Sequence, residues 1–179
     1  MILVALGGNL PGPWGSPRET ILRAIAELDH GGIRILAVSP LTVTAPFGRV
    51  NQPAFVNAVA RIETHLPPEA LMRRLHAFER RAGRRRAIRW GPRTLDLDLI
   101  DYHGVIRQAP GGGLVLPHPG IAERPFVIEP IIAIAPRWRH PVSRLTAREM
   151  LRRLGGTREG RAVPSHDTSQ LSLNHSVAS

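Results

Sequence analysis

The order in which strand-like and helix-like segments follow one another constrains the fold of this chain more than any single motif. Apolar, β-branched runs alternate with runs whose apolar residues recur at helical spacing, in the order β-α-β-β-α-β. The predicted strands cover residues 2–6, 33–44, 54–64 and 95–102. A split βαβ order of this kind predicts a ferredoxin-like α+β sandwich, with an antiparallel sheet and its helices on one sheet face.

Local signals bound the two predicted helices. Ser16-Pro17-Arg18-Glu19 has the form of a capping box with proline at the first helical position, and Gly31-Gly32 ends the helix that follows. The second helix begins at Pro67-Pro68-Glu69 and ends at Gly83. Pro40 interrupts the second predicted strand and indicates an edge or a bulge there.

The chain after the fourth strand predicts further C-terminal elements. A short extended piece is expected over residues 114–116, with extra helices near 126–134 and 146–154. Residues 157–179 are rich in Ser, Asn and Gly and poor in large apolar groups, which predicts a disordered tail. We therefore expect one domain over residues 1–156, because a chain of this length can bury one sizeable core.

The composition limits how this chain could bind a metal or a phosphate. It has no cysteine, so a metal would have to be held by oxygen or histidine ligands. All 24 basic residues are arginine, which excludes the lysine-containing phosphate loop of NTPases and leaves arginine forks, backbone amides or a metal to bind phosphate. A GC-rich genome would explain the missing lysines without any function, but not the clustering of the arginines.

Location and polyanion binding can also be predicted. The apolar run over residues 2–6 is too short for a signal peptide, and no stretch approaches the length of a membrane span. We expect a cytoplasmic protein with no membrane partner. The formal net charge of +10 raises the alternative of a nucleic-acid partner. Four Phe, three Trp and one Tyr are few for stacking on single strands, so no nucleic acid is expected.

Asp96 and Asp98 are the sharpest chemical feature of the sequence. On a strand, residues two apart face the same side and lie about 6.7 Å apart, while Leu97 and Leu99 face the core. Two carboxylates at that spacing can share a pair of Mg²⁺ ions, as in two-metal phosphoryl-transfer sites. The same alternation places Asp101 on the other face. The alternative is a strand with one wet face that carries two solvated aspartates.

Arginine is concentrated just before this pair. Nine arginines and one glutamate lie within the 21 residues from Arg73 to Arg93. The arginines of the predicted helix are assigned to a solvated face. Those of the following loop are better candidates, because a mobile basic loop beside two carboxylates can close over a triphosphate and exclude water. Trp90, inside this loop, indicates a gate or a stacking cover.

Other candidate ligand contacts lie outside the arginine-rich segment. Phe55 and Asn57 project from the face of the third strand opposite its apolar residues, where a ring and a carboxamide can stack on a flat heterocycle and bind its edge. The alternative is a half-exposed ring and a turn-seeking amide without a ligand. His118, between two prolines, and Arg124 could each donate to a phosphate.

Several motifs together resemble the dihydropterin pyrophosphokinase family. They are Thr44-Ala45-Pro46-Phe47-Gly48, Gln52-Pro53-Ala54-Phe55-Val56-Asn57-Ala58, Gly83-Arg84-Arg85-Arg86, the run from Arg89 to Asp98, and Leu116-Pro117-His118-Pro119 followed by Arg124 and Phe126. The match covers roughly residues 2–154 in the family's order. The run from Trp90 to Asp98 is highly specific to that family.

The resemblance implies a monomeric enzyme that transfers pyrophosphate from ATP, its co-substrate, to 6-hydroxymethyl-7,8-dihydropterin in folate biosynthesis. It implies that Asp96 and Asp98 hold two Mg²⁺ ions and that Arg84 and Arg86 take part in catalysis. The implied pterin site consists of Thr44, Ala45, Phe47, Phe55, Asn57, Trp90 and Phe126. The implied ATP site consists of Glu79, Arg86, Trp90, Arg93, Leu99, His118 and Arg124.

The chain departs from the family pattern in three places. Gly8 stands where serine is usual, the loop between Arg86 and Trp90 is one residue short, and Gly111-Gly112-Gly113 replaces a stretch that can supply another phosphate-binding arginine. These departures bear on ATP affinity. An RNA-binding module of ferredoxin-like fold and a magnesium-dependent phosphohydrolase are the alternatives from other functional classes.

Overall fold

A computed structural model of the chain describes residues 1–46, 51–84, 91–109 and 112–155, together with the backbone of 163–164. Its strands are β1 (Ile2–Gly8), β2 (Ile33–Val38), β3 (Thr42–Thr44), β4 (Phe55–Thr64), β5 (Asp96–Tyr102) and β6 (Val163–Pro164). Its helices are α1 (Pro17–Leu28), α2 (Pro68–Arg81), α3 (Pro125–Ile134) and α4 (Ala147–Arg153), with a single 3₁₀ turn at Ile121–Glu123. The predicted order of elements is confirmed, with one predicted strand divided in two.

The strands form one antiparallel sheet built around β1 and β4. Their order is β5-β1-β4-β3-β6, and β2 also pairs with β4. Gly7 near the end of β1 pairs with Asn57 of β4 on one side and with Asp96 of β5 on the other. This register brings the C-terminal end of β1 and the N-terminal ends of β4 and β5 together at one end of the sheet.

The prediction of a single strand over residues 33–44 is wrong in detail, because β2 and β3 are separate. Pro40 lies between them and has no N–H to give to the ladder. Ser39 bridges the break, since its N–H donates to the Val59 carbonyl at 2.9 Å and its hydroxyl accepts from the Val59 N–H at 3.0 Å. As a result, β4 pairs with β2 and β3 in succession along one edge.

Two hydrophobic cores lie on opposite faces of the sheet. Ile2, Val4 and Leu6 of β1 pack with α1 and α2, whereas Leu3 and Ala5 pack with α3 and α4. The strand alternation of β1 therefore serves both layers. The capping box at Ser16 and Glu19, predicted above, is confirmed at the start of α1. The C-terminal helices thus form a third layer that covers the face left open by α1 and α2.

The prediction that Asp101 faces away from Asp96 and Asp98 is wrong. Leu3 pairs with Asp101 and Val4 pairs with Leu99, so Ile100 is one extra residue in β5, a β-bulge. The bulge returns Asp101 to the face of Asp98, but inside the core. There Trp138 Nε1 donates to Asp101 at 2.7 Å, and the Gly104 N–H donates at 2.8 Å.

One short strand lies beyond the C-terminal helices. Strand β6 pairs with β3 through Val163 with Val43 and Pro164 with Thr42. The rest of the predicted tail over residues 157–179 lies outside the described residues, so its disorder stays a prediction. Within the described ranges, no helix combines the length and the apolar character that a membrane crossing requires.

Candidate active site

A cleft opens where the ends of β1, β4 and β5 meet beneath the start of α3. It has about 720 Å³ of empty space, including space open to solvent. The predicted residues that the structure brings together in its walls are Thr44, Ala45, Phe55, Asn57, Arg93, Asp96, Asp98, Arg124 and Phe126. The same-face alternation of Asp96 and Asp98 therefore aims both carboxylates into one cleft.

One part of this cleft combines aromatic rings with a fixed amide. Phe55 begins β4, and Phe126 lies in the first turn of α3, which packs on this face of the sheet. Asn57 is buried, and its Nδ2 donates to the Thr44 hydroxyl at 2.8 Å. A Cβ added to Gly7 would lie 3.0 Å from the Asn57 amide oxygen, so the glycine gives that amide its space. The arrangement can accept a flat ring and hydrogen-bond its edge.

The two aspartates are each paired with arginine. Asp96 contacts Arg84 at 2.5 Å and Arg93 at 2.6 Å through different carboxylate oxygens. Asp98 contacts Arg124 at 2.9 Å. The side chains of both aspartates are about a quarter exposed, at 21% and 26%. The alternative of two merely solvated aspartates does not hold, because folding adds Arg84 and Arg124 to the neighbouring Arg93 around the pair.

Glu79 lies beneath this network and is only 3% exposed. Its carboxylate accepts from the Leu97 N–H at 2.8 Å and from the Arg84 guanidinium. Burial raises the pKa of Glu79 to about 7, although the hydrogen bond from Leu97 and the charge of Arg84 both act to lower it. Glu79 belongs to the walls of neither cleft described in this section, so its predicted ATP contact stays a prediction.

A second cleft meets the first at Asp98. It runs between α2 and residues 112–119 and is lined by Glu69, Met72, Arg73, His76, Asp98, Leu99, Gly113, Leu114, Val115, His118 and Pro119. Its apolar members can contact a heterocyclic base, and its polar members a sugar. Of the residues predicted for ATP, Leu99 and His118 lie here. The α2 residues of this cleft and residues 114–115 were not predicted as site residues, because only the packing of two distant segments makes this wall.

His118 is held by its backbone and by one ring nitrogen. Its N–H donates to the Ile100 carbonyl at 2.9 Å, and its Nδ1 accepts from the Gly120 N–H at 3.1 Å. Burial lowers the pKa of His118, more than the charge of Asp98 raises it. A neutral ring with Nδ1 as acceptor carries its proton on Nε2, which lies 3.6 Å from Asp98. His118 is thus arranged to donate from Nε2 beside the carboxylate.

Asn9 is a position beside the cleft that sequence reasoning missed. This buried side chain donates to the Pro53 carbonyl at 2.9 Å and to Gln52, another wall residue, at 3.2 Å, while its oxygen accepts from the Arg93 N–H at 2.9 Å. Asn9 thus links the segment of Gln52 and Pro53 to the backbone of Arg93. An asparagine directly after a strand was the available signal. At the neighbouring Gly8, a Cβ would lie 2.4 Å from the Thr94 carbonyl oxygen, so the glycine permits a close backbone approach.

Three predicted site residues, Phe47, Arg86 and Trp90, lie outside the described residues. Their roles therefore stay predictions. Arg84, the last described residue before that loop, contacts Asp96.

The carboxylates in the cleft fit a metal ion that binds together with a phosphate-bearing substrate. In the described part of the chain, no group of three or more His, Cys, Asp or Glu could hold a metal ion. Mg²⁺ is usually bound by one or two carboxylates, with water and substrate phosphates completing its octahedron. Asp96 and Asp98 match that requirement and would bind a Mg²⁺–polyphosphate better than a bare metal.

Comparison with known proteins agrees with the geometry of the site. Residues 3–136 match the family model for 7,8-dihydro-6-hydroxymethylpterin-pyrophosphokinase (HPPK). The chain is 41% identical over 144 residues to a 2-amino-4-hydroxy-6-hydroxymethyldihydropteridine pyrophosphokinase of Pseudomonas aeruginosa, covering 80% of this chain and 85% of the relative. It is 38% identical over 156 residues to the enzyme of that name from Synechocystis sp., covering 87% and 76%. It is 37% identical over 145 residues to the Pneumocystis carinii folic acid synthesis protein fol1, covering 81% of this chain and 19% of that longer protein. This chain therefore belongs to the 7,8-dihydro-6-hydroxymethylpterin-pyrophosphokinase family.

Proposed function

We propose that this protein transfers the pyrophosphoryl group of ATP to 6-hydroxymethyl-7,8-dihydropterin, releasing AMP and the pterin diphosphate for folate biosynthesis. The observation that carries the proposal is the junction of two clefts at a carboxylate pair. One cleft is lined by rings and a fixed amide, and the other by α2 and residues 112–119. A reaction that joins two bound substrates needs such a junction.

The pterin belongs in the first cleft. Phe55 and Phe126 can stack on the two faces of its ring, with Asn57 and the backbone near Thr44 and Ala45 at its edge. Phe47 and Trp90 are proposed to complete this pocket. The Thr44 hydroxyl holds the Asn57 amide in one orientation, which supports a role in recognising the ring edge.

ATP belongs in the second cleft, with its phosphates at the carboxylate pair. Leu99 is proposed to lie near the adenosine, and His118 can donate to a phosphate from Nε2. Arg93 and Arg124, which pair with the aspartates, can turn to phosphate oxygens. We propose that Arg86 and Trp90 of the basic loop cover the nucleotide. Glu79 is proposed to support the nucleotide from below.

Asp96 and Asp98 are proposed to hold two Mg²⁺ ions, which would supply charge neutralisation on the phosphates. The protein's own residues then have three tasks: to align the pterin hydroxyl with the β-phosphorus, to neutralise charge with arginine, and to exclude water. Arg84 and Arg86 are proposed to act in the transferring state. No side chain has to form a covalent bond, since the attack is in line and AMP leaves directly.

Other expectations follow from the same proposal. The strand order β5-β1-β4 with β2 and β3 outside supports a ferredoxin-like sandwich with extra C-terminal helices. We propose that residues 1–156 form the pyrophosphokinase domain, and that it works as a monomer in the cytoplasm without a nucleic-acid partner.

Product chromatography tests the function directly. The protein is mixed with ATP, Mg²⁺ and 6-hydroxymethyl-7,8-dihydropterin, with a matched reaction that omits the pterin. We expect AMP and the pterin diphosphate in equal amounts, and neither product without the pterin. Release of inorganic phosphate from ATP in both reactions would instead identify a phosphohydrolase.

A further inference from the structure

Glu79 is a buried acid at a helix position where apolar residues would serve the fold better. The other buried residues of α2 and its cap, Leu71, Leu75, Phe78 and Ala82, are all apolar and pack in the core under the sheet. A buried carboxylate costs several kcal/mol of desolvation, and an apolar residue of similar volume is often neutral or stabilising in its place. Its presence therefore calls for a function.

Arg84 is bound to Glu79 at two points. The Arg84 N–H donates to the Glu79 carbonyl at 3.0 Å, and the Arg84 guanidinium donates to the Glu79 carboxylate. The same guanidinium nitrogen contacts Asp96 at 2.5 Å. Arg84 is thus fixed at its backbone and at its tip where the chain leaves α2 for the basic loop.

The second partner of Glu79 is the backbone between the two aspartates. The Leu97 N–H donates to the same carboxylate oxygen that receives Arg84. This N–H belongs to the edge strand β5, whose other side pairs with β1. One carboxylate oxygen therefore links the arginine to the strand segment that carries the metal-binding pair.

We propose that Glu79 is a positioning residue for pyrophosphoryl transfer that acts through Arg84. It holds the guanidinium beside Asp96 before the substrates bind, so that Arg84 reaches the polyphosphate without first being ordered. Arginine has one of the largest rotamer entropies among side chains, and fixing it in advance removes that cost from the bound state. This inference rests on the proposed function.

A double-mutant cycle at pH 8 tests the link. Glu79→Gln keeps the shape of the side chain and an oxygen that can accept from Leu97, but it removes the charge that holds Arg84. We expect it to slow single-turnover transfer about ten-fold, and to add almost nothing in an Arg84→Ala background. Glu27→Gln, which breaks an Arg81 pair on the helix surface, is the matched control and should transfer at the native rate.

Two further measurements do not depend on turnover. Calorimetry with Mg²⁺ and a non-hydrolysable ATP analogue should show the same non-additivity between the two substitutions. Hydrogen exchange should show the Leu97 N–H still protected in Glu79→Gln, because the amide oxygen can replace the carboxylate oxygen as acceptor. Loss of protection there would mean that Glu79 acts through the strand, and would overturn the inference.

The remaining outcomes are also decisive. Additive losses in the cycle, or native transfer in folded Glu79→Gln, would overturn the role of Arg84. If circular dichroism shows that Glu79→Gln does not fold, Glu79→Asp replaces it in the cycle. Aspartate keeps the charge but shortens the side chain. Additive losses for Glu79→Asp and Arg84→Ala would overturn the proposal equally. A native protein that forms no AMP with the pterin contradicts the proposed function itself, whereas an active native protein with an additive cycle contradicts this inference alone.

Discussion

The hydrogen bond from Asn57 to Thr44 offers a quantitative test of pterin recognition. Thr44→Val replaces the hydroxyl with a methyl group of similar shape and keeps a β-branched residue in β3. Thr44 and Asn57 are both buried, at 8% and 6% exposure, so water cannot readily replace the lost acceptor. Leaving a buried donor without a partner costs about 1–3 kcal/mol of unfolding free energy. The amide also loses its fixed orientation, which should weaken pterin binding by about 0.5–1.5 kcal/mol, about two- to twelve-fold in Kd.

The assay is calorimetric titration of the pterin into protein saturated with Mg²⁺ and a non-hydrolysable ATP analogue. Urea unfolding gives the stability change in parallel. Thr44→Ser is the matched control, because it keeps the acceptor and loses only a methyl group. Equal pterin affinity in Thr44→Val and Thr44→Ser would refute the idea that this hydroxyl orients Asn57 for the ligand.

Three further predictions concern the carboxylates and rings of the site. We expect Asp96→Asn and Asp98→Asn each to keep the fold, as checked by circular dichroism, but to raise the barrier to pyrophosphoryl transfer by several kcal/mol. Added Mg²⁺ should restore the rate only in part. Near-native transfer at limiting Mg²⁺ would rule out the two-metal assignment. Phe55→Ala and Phe126→Ala should each weaken pterin binding by about 1–3 kcal/mol in calorimetry while ATP affinity holds, and the reverse pattern would exchange the two pockets. Burial raises the pKa of Glu79 from its usual 4.5 to about 7, so its stabilisation of the fold is complete below the lower value and is lost as the pH rises through 7. Unfolding free energy in chelator should therefore fall between pH 5 and 8, by at most about 1.4 kcal/mol per pH unit from this group, and Glu79→Gln should flatten the profile.

Local patterns carried much of the prediction for this chain. Apolar periodicity and capping residues are properties of neighbouring positions, so the element order and the start of α1 followed from sequence. The spacing of Asp96 and Asp98 placed both on one cleft for the same reason. Strand alternation also indicated Phe55 and Asn57, and the family motifs added Phe126; the structure collects all three in that cleft.

The features that were missed depend on contacts between distant segments. A period of two cannot reveal an inserted residue, so the bulge at Ile100 and the burial of Asp101 were out of reach. The arginine partners of the aspartates come from positions as far as 26 residues away in sequence, as for Arg124 and Asp98. Charge patterning likewise assigned α2 only a solvated face, whereas Arg73 lines the second cleft once residues 112–119 pack beside it.

The bulge at Ile100 also determines how β5 can tolerate insertions and deletions. Deletion of this one residue would restore an unbroken two-residue alternation and leave Asp98 and Asp101 opposite the β1 residues that they already face. It would also remove the carbonyl that accepts the His118 N–H. A gap at this point in a related sequence is therefore compatible with the pairing of β5 and β1, and its consequences would fall on the core that Ile100 fills and on the segment that carries His118.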